Sequence, residues 1–516
     1  MTMLCVPIFV DDAAQAKREI AAAAEAGADV VELRIDGFDG DVSELVDQAI
    51  LPTIVTRRAE REGGRSEEPD AARAERLLGL APLTDYVDFE LDALRQTPLP
   101  REKLGSARLI VSSHDFKGRP DRLYNIITEL NQSPSDVNKI VWMARSIRDN
   151  LEAFEIIQNR QKPTVALCMG EAGMISRILA RKFGAFLTFA SLHDQGATAP
   201  GQVTIHDMKR LYRWDAITPQ TKVYGVVASP VMHSMSPAIH NAAFDKTGYD
   251  GVYLPLLVNP GYESFKAFME SALAFEPLHL SGLSVTLPHK ENALQYLTGK
   301  GADVEDLARR IGAVNTIIVD RSGPGGPTLR GINTDYAAIL DAITDKLGIT
   351  RQQLKDYRVA VIGAGGTGRT AVAALAHYGA TVVVYNRTPE RAEELAAEFN
   401  GKTGKVVAAR MEKLCDSCCQ IYINTTSVGM YPNVDQSPLG DAPPKFSDQT
   451  VVFDTIYNPI RTKLLQQAES AGAKTISGVE MFVRQAVAQF EAWTKHDAPA
   501  DVMRNVIIDR LTAPKA

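Results

Sequence analysis

Gly363-Ala364-Gly365-Gly366-Thr367-Gly368 follows the apolar run Val359-Ala360-Val361-Ile362 and precedes a helix pattern over Arg369–Tyr378. Glycines at the first, third and sixth positions of a strand–turn–helix unit suit a bound dinucleotide. The first permits a tight turn, the second lets a pyrophosphate approach the backbone, and the third lets helix and strand pack closely. The next strand pattern, Thr381–Tyr385, ends in Asn386-Arg387-Thr388. A carboxylate there would bind the ribose hydroxyls of NAD, whereas an arginine pairs with a 2′-phosphate, so NADP is the expected cofactor.

A second set of reactive residues lies near the other end of the chain. In Val30–Asp36, Val31, Leu33 and Ile35 alternate with Glu32, Arg34 and Asp36. A charged face at a strand's end fits the mouth of a closed barrel, although a charged edge strand gives the same pattern. Arg58 and Glu62-Gly63-Gly64 follow a third strand pattern, and Ser112-Ser113-His114-Asp115-Phe116 ends a fifth. Lys139 opens a sixth, Ile175-Ser176-Arg177 follows a seventh, and Ala197-Thr198-Ala199-Pro200-Gly201-Gln202 follows an eighth. A lysine heading an apolar strand is usually a surface residue whose stem lies along the protein. Enclosed in a barrel, the same amine can form a Schiff base.

The elements that must position these groups are strands alternating with helices. Strand patterns cover Leu4–Val10, Val30–Asp36, Thr53–Thr56, Tyr86–Leu91, Arg108–Ser112, Lys139–Met143, Thr164–Met169 and Phe186–Ala190. Helix patterns between them, such as Ala13–Ala26 and Ile147–Asn159, complete an α/β fold with an N-terminal (β/α)8 TIM barrel. The polar, proline-containing stretch Tyr212–Lys222 is the expected linker. Beyond it the pattern predicts a two-lobed unit: a mixed α/β domain over 222–330, completed by 479–516, and a Rossmann domain over 331–478. The barrel occupies 1–218 on this division.

The 516 residues, at 45% hydrophobic and 23% charged, describe an ordinary globular chain of roughly three domains. A net charge of −7 offers no basic excess for nucleic acid, and no apolar run is long enough for a membrane span. The N-terminus lacks the basic segment of a signal peptide, and five cysteines are too few and too odd for a disulfide framework. Both point to the cytoplasm. Cys415, Cys418 and Cys419 cluster without a second ligand pair, so no metal site is expected.

From Val223 onward the motifs HSMSPAIHN, SVTLPHK, GAVNT, GINTD, GAGGTGR, NRT, INTTSVGM and EMFVRQA occur in order. Singly, each is a turn or a helix cap, as with Thr334-Asp335 before an apolar helix. Together they resemble the shikimate dehydrogenase family. The resemblance implies NADPH-dependent reduction of 3-dehydroshikimate to shikimate. It assigns Lys290 and Asp335 as a catalytic pair and Ser234, Ser236, Thr286, Asn315 and Gln485 as substrate contacts, with Tyr457 nearby. It places Thr425 and Met430 against the nicotinamide. Ser284 stands where many members carry asparagine, a change expected to leave activity undisturbed.

Residues 4 to 210 carry VVELRID, TRRAEREGG, SSHDF, NKIVWMA, GMISR and ATAPGQ, which resemble the type I 3-dehydroquinate dehydratases. That resemblance implies an imine between Lys139 and the substrate ketone, with His114 as acid and base and Glu62 orienting it. Arg177 would hold the substrate carboxylate near Arg34 and Arg58, and Glu32, Thr198 and Gln202 would complete the contacts. No metal is implied. The two resemblances imply consecutive reactions, the first making the substrate of the second. The alternatives are a dehydrogenase half that prefers quinate with NAD, and a ligand-sensing regulator without turnover. The sequence leaves the oligomeric state open.

Overall fold

A computed structural model of the chain describes residues 2–193, 198–401, 404–440 and 446–513. The chain divides into two compact units, Met1–Pro237 with Asp250–Leu280, and Ala238–Tyr249 with Ser281–Ala516. Among the described residues no helix is long and apolar enough to cross a membrane.

The first unit contains eight parallel strands: β1 (Met3–Phe9), β2 (Val30–Arg34), β3 (Thr53–Thr56), β4 (Tyr86–Glu90), β5 (Arg108–Asp115), β6 (Val137–Met143), β7 (Thr164–Met169) and β8 (Leu187–Phe189). They run in the order β7-β6-β5-β4-β3-β2-β1-β8. The Phe186 N–H donates to the Thr164 carbonyl at 2.9 Å and brings the two ends of this order together, so the sheet is a (β/α)8 barrel. Side chains of successive residues alternate between the interior and the surrounding helices. Cys5, Val30, Ile54, Tyr86, Ile110, Val137, Val165 and Leu187 pack the interior as an apolar plug. Each fully buried Val, Leu or Ile contributes roughly 1.5–3 kcal/mol. Two residues further along five of these strands, the same inward face carries Glu32, Thr56, Asp88, Ser112 and Lys139. The plug therefore forms the floor on which the polar groups stand.

Two strand boundaries differ from the sequence reading. Lys139 is the third residue of β6, not its first, because Val137 and Asn138 already pair with β5 and β7. β5 continues past Ser112 through Ser113, His114 and Asp115, so His114 is itself a strand residue.

The stretch Tyr212–Lys222 is polar in sequence but fastened in structure. Tyr212 and Trp214 are buried, and the Arg213 guanidinium donates to the Gly251 carbonyl. Lys182 Nζ donates to the carbonyls of Pro219 at 2.7 Å and Thr221 at 2.9 Å. β9 (Lys222–Ala228) follows and pairs parallel with β10 (Gly251–Leu257).

In the second unit, β11 (Leu280–Val285) and β14 (Thr328–Ile332) flank β13 (Thr316–Asp320) antiparallel, and β12 (Asp303–Val304) joins β14 in parallel. The helix Gly478–Thr494 packs on this sheet. A Cβ on Gly282 would lie 2.5 Å from the Trp493 ring, and Trp493 Nε1 donates to the Ile317 carbonyl at 3.1 Å. A further helix, Ala500–Thr512, follows; the sequence reading did not anticipate it.

The remaining sheet is parallel: β15 (Arg358–Ile362), β16 (Thr381–Tyr385), β17 (Lys405–Ala409), β18 (Ile421–Asn424), β19 (Val451–Asp454) and β20 (Lys474–Ile476). Its order, β17-β16-β15-β18-β19-β20, reverses direction between β15 and β18. This is the doubly wound order whose switch point lies at the ends of those two strands.

Candidate active sites

Glu32, Arg34, Arg58, Glu62, His114, Lys139, Arg177, Thr198 and Gln202 all line one cavity at the barrel mouth, although they come from positions 32 to 202. Lys139 is 4% exposed. Its Nζ donates to Asp88 Oδ2 at 2.9 Å and to Glu32 Oε1 at 3.4 Å, and lies 4.6 Å from the centre of the Phe189 ring. Asp88 Oδ1 also accepts from Arg58 Nη2 at 2.8 Å and from Ser112 Oγ at 2.6 Å. Thr56 Oγ1 donates to Glu32 Oε1 at 2.8 Å. Arg34 is held by Asp36, with Nε and Nη2 both at 2.9 Å from its carboxylate oxygens.

His114 meets Glu62 twice. Its backbone N–H and its Nδ1 both lie 3.0 Å from Glu62 Oε2. The shared oxygen accepts both, so Nδ1 carries the hydrogen and Nε2 presents its lone pair. Burial, reinforced by the charges of Arg58 and Lys139, holds the imidazole pKa well below its usual value. The ring is thus a neutral base at pH 7. Burial pushes Glu62 up to about 7, against the pull of Arg58.

Arg177, on the short helix Met174–Ile178, is 2% exposed. Among the described residues it has no ion pair, and its Nε has no hydrogen-bond partner. Burial lowers its pKa to about 10. A buried guanidinium without an anion is a ready site for a carboxylate. Thr198 and Gln202 hold each other: Gln202 Oε1 accepts the Thr198 N–H at 2.8 Å, and Nε2 donates to Thr198 Oγ1 at 3.1 Å. Ala197, the first residue of ATAPGQ, lies outside the described residues.

In the second unit, Lys290 Nζ donates to Asp335 Oδ2 at 2.6 Å. Both stand in first turns, Lys290 in the helix Lys290–Gly299 and Asp335 in Thr334–Leu347. The cap of the second helix is Asn333, whose side chain accepts the Asp335 N–H, and not Thr334 as the sequence suggested. Asn315 is 3% exposed and bonded to Thr334 through both ends of its amide. Thr286 is half-buried at the end of β11. Gln485 is buried on the helix Gly478–Thr494, three residues after Phe482, whose ring stacks on Tyr457 at 5.1 Å between centres. Ser234 and Ser236 belong to the first unit; Ser234 Oγ accepts the Ser236 N–H at 3.2 Å where the helix Ser236–Thr247 begins.

The glycine loop lies at the switch point of the doubly wound sheet. Gly363 has φ +110°, a left-handed conformation that favours glycine, and a Cβ on Gly368 would stand 2.2 Å from the Gly363 carbonyl oxygen. Around Gly365 a Cβ would meet nothing within 4 Å, which leaves the approach to the helix N-terminus open. Thr425, after β18, donates its hydroxyl to the Ile362 carbonyl at 2.8 Å, and Met430 is exposed. Asn386 Oδ1 accepts the Ala364 N–H at 3.2 Å and its Nδ2 donates to the Thr388 carbonyl at 2.8 Å. Arg387 is exposed and has no ion pair among the described residues. This loop and this cation fit a dinucleotide with an extra phosphate.

Sequence reasoning passed over Asp88 and Glu90 and gave Ser112 no role of its own. Tyr86-Val87-Asp88-Phe89-Glu90 alternates as Val30–Asp36 does, and that charged inner face was the available signal. Glu90 receives Arg73 Nη1 at 2.9 and 2.7 Å and the Ala59 N–H at 2.9 Å, which anchors the turn that carries Glu62. All five cysteines are free, and no group of three metal-ligating side chains occurs among the described residues.

Family comparisons follow the same division. Residues 4–219 match the type I 3-dehydroquinase model. Residues 226–317 match the shikimate dehydrogenase substrate binding domain, 346–461 match shikimate / quinate 5-dehydrogenase, and 478–508 match the shikimate 5′-dehydrogenase C-terminal domain. A shikimate dehydrogenase (NADP(+)) of Methanosarcina acetivorans is 39% identical over 57% of this chain and 99% of its own. A solved shikimate dehydrogenase in complex with NADP+ is 35% identical, with a TM-score of 0.50, over 57% of this chain and 97% of that one. The chloroplastic bifunctional 3-dehydroquinate dehydratase/shikimate dehydrogenase of Arabidopsis thaliana is 38% identical over 97% of this chain and 83% of its own length. With both halves matched in one relative and in one order, the chain belongs to the family of bifunctional 3-dehydroquinate dehydratase/shikimate dehydrogenases.

Proposed function

We propose that the barrel, residues 1–218, dehydrates 3-dehydroquinate through an imine at Lys139, and that the remainder reduces the product, 3-dehydroshikimate, to shikimate with NADPH. The observation that carries this reading is the cavity that holds a buried lysine amine, a neutral histidine oriented by a carboxylate, and an arginine with no ion pair among the described residues.

The Lys139 amine, once it has lost a proton, attacks the C3 ketone, and loss of water gives the iminium. That cation is the electron sink for the C2–H bond. His114 Nε2 takes the C2 proton, the enamine expels the C1 hydroxyl, and His114 returns the proton to the departing oxygen as water. Water then hydrolyses the imine and frees Lys139. Glu62 keeps the imidazole in the tautomer that this sequence needs, and Arg177 binds the substrate carboxylate. Glu32, Arg34, Arg58, Thr198 and Gln202 surround the ring.

In the second half, which we divide into 222–330 with 479–516 and a cofactor domain over 331–478, NADPH when bound supplies the hydride. The Gly363–Gly368 loop holds its pyrophosphate, Asn386, Arg387 and Thr388 hold the 2′-phosphate, and Thr425 and Met430 bound the nicotinamide side. Lys290 donates a proton to the developing alkoxide, and Asp335, at 2.6 Å, holds that amine in place. Ser234, Ser236, Thr286, Asn315, Tyr457 and Gln485 bind the carboxylate and hydroxyls of the ring. Free thiols suit a reducing compartment such as the cytoplasm.

The test is a single-chain assay. Given 3-dehydroquinate and NADPH, the protein should oxidise one NADPH per 3-dehydroquinate, and Lys139→Ala should oxidise NADPH only when 3-dehydroshikimate is supplied. NADPH oxidation by the Lys139→Ala chain with 3-dehydroquinate would refute the assignment.

A further inference from the structure

A continuous line of buried hydrogen bonds joins the helix Gly478–Thr494 to the first turn of the helix Thr334–Leu347. Ser284 Oγ–H donates to Gln489 Oε1 at 2.8 Å, and Gln489 Nε2–H donates to Thr316 Oγ1 at 2.9 Å. Thr316 Oγ1–H donates to Asn315 Oδ1 at 2.7 Å, and Asn315 Nδ2–H donates to Thr334 Oγ1 at 3.0 Å. All five residues are buried.

The direction of every bond follows from one backbone group. The Thr334 N–H can only donate, and it points at the Asn315 amide oxygen at 2.8 Å. Asn315 must therefore turn its Nδ2 to Thr334 Oγ1. The single hydroxyl hydrogen of Thr316 goes to the same Asn315 oxygen, so Thr316 can only accept from Gln489. Gln489 then presents Nε2 to Thr316 and Oε1 to Ser284. Head-to-tail chains of this kind strengthen each member and fix amide orientations that isolated side chains leave free.

The consequence falls on Asn315. Oδ1 accepts from Thr316 at 2.7 Å and from the Thr334 backbone at 2.8 Å, with the Thr334 hydroxyl a longer third contact at 3.3 Å, and one Nδ2 hydrogen is used on Thr334. What remains for a ligand is a single N–H. We propose that Ser284, Gln489 and Thr316 are positioning residues that set Asn315 as a one-way donor to an oxygen of the dehydrogenase substrate. The ligand group recognised there is one with a lone pair to offer, a ring hydroxyl oxygen, and the chain selects for it from two residues away. The same line reaches Thr334, the neighbour of Asp335, and so steadies the Lys290–Asp335 pair.

This inference rests on the reading of the second half as a shikimate dehydrogenase, and the test separates the two. Thr316→Val keeps the β-branched shape and removes only the hydroxyl. Its KM for shikimate should rise about tenfold, the effect of one buried hydrogen bond to a correctly turned amide. Its KM for NADP+ should stay within twofold, and dehydratase activity on the same chain should be unchanged. Thr316→Ser, which keeps the hydroxyl, should return the shikimate KM to within twofold of the parent. Gln489→Met, which breaks the line at another point, should reproduce the Thr316→Val pattern. A shikimate KM within twofold of the parent in both Thr316→Val and Gln489→Met overturns the proposal, as does an equal rise in the KM for NADP+. A parent chain that reduces no NADP+ with shikimate overturns the reading of this half as well.

Discussion

Lys139 Nζ stands 2.9 Å from Asp88 Oδ2, and the other oxygen of that carboxylate receives Arg58 and Ser112. Burial alone would raise the Asp88 pKa, but Arg58 and Lys139 overcome it and hold the carboxyl well below the usual range. One buried anion thus joins two buried cations, which also face Glu32 at 3.4 Å and Glu90 at 3.8 Å. Asp88→Asn should leave both cations without their nearest partner and destabilise the chain by about 3–5 kcal/mol in a denaturant titration, with loss of dehydratase activity. Reduction of 3-dehydroshikimate by the surviving folded fraction should keep its parent KM. A fully active Asp88→Asn dehydratase would show that dehydration does not need this carboxylate.

Glu62 gives a pH signature. Its carboxyl is raised from 4.5 to about 7, chiefly by burial. Between those values the unfolded chain has released the proton that the folded chain retains. Glu62 is therefore most favourable to the fold below pH 4.5, becomes progressively less so as the pH rises to 7, and is constant above. In Glu62→Gln that loss disappears. The stability of the variant relative to the parent should improve by about 3 kcal/mol from the acid end of this window to its alkaline end. A pH-independent difference would contradict the buried carboxyl.

Arg177 should trade function against stability. A guanidinium that burial alone brings down to about 10, with no ion pair among the described residues, destabilises the free protein. Arg177→Met should raise the Tm of the chain without substrate, equivalent to about 1–4 kcal/mol, while the KM for 3-dehydroquinate rises by more than tenfold. A lower Tm would show that the arginine is paired in solution.

Arg387 tests the cofactor assignment. Arg387→Ala should raise the KM for NADPH by roughly 10–100-fold, the value of a charged hydrogen bond to the 2′-phosphate, and leave the KM for NADH nearly unchanged. Equal effects on the two cofactors would detach Arg387 from the phosphate.

The barrel and the dinucleotide fold were legible because each strand's apolar alternation is local, and the glycine spacing encodes a backbone geometry. The strand pattern Arg108–Ser112 stops short of His114 because the apolar residues end there, while the strand continues through Asp115 with polar side chains. Lys139 was put at the head of β6 because Asn138 interrupts the pattern; Asn138 faces outward, where Ser135 and Asn131 satisfy it. Asp88 escaped notice for a different reason. Its partners Lys139 and Arg58 are 51 and 30 positions away, and only closure of the barrel brings them together. The line from Ser284 to Thr334 is likewise invisible in sequence, since Ser284 and Gln489 are 205 positions apart. Tyr212 and Trp214 sit in a stretch whose proline and charges suggested a loose linker, yet both are buried.

A covalent bond between Lys139 and the substrate is trapped by borohydride reduction in the presence of 3-dehydroquinate and read by mass spectrometry. The imine mechanism requires a stable adduct on the peptide that contains Lys139, with dehydratase activity lost and shikimate dehydrogenase activity retained. Loss of dehydratase activity with Lys139 unmodified, or an adduct on another residue, would contradict it.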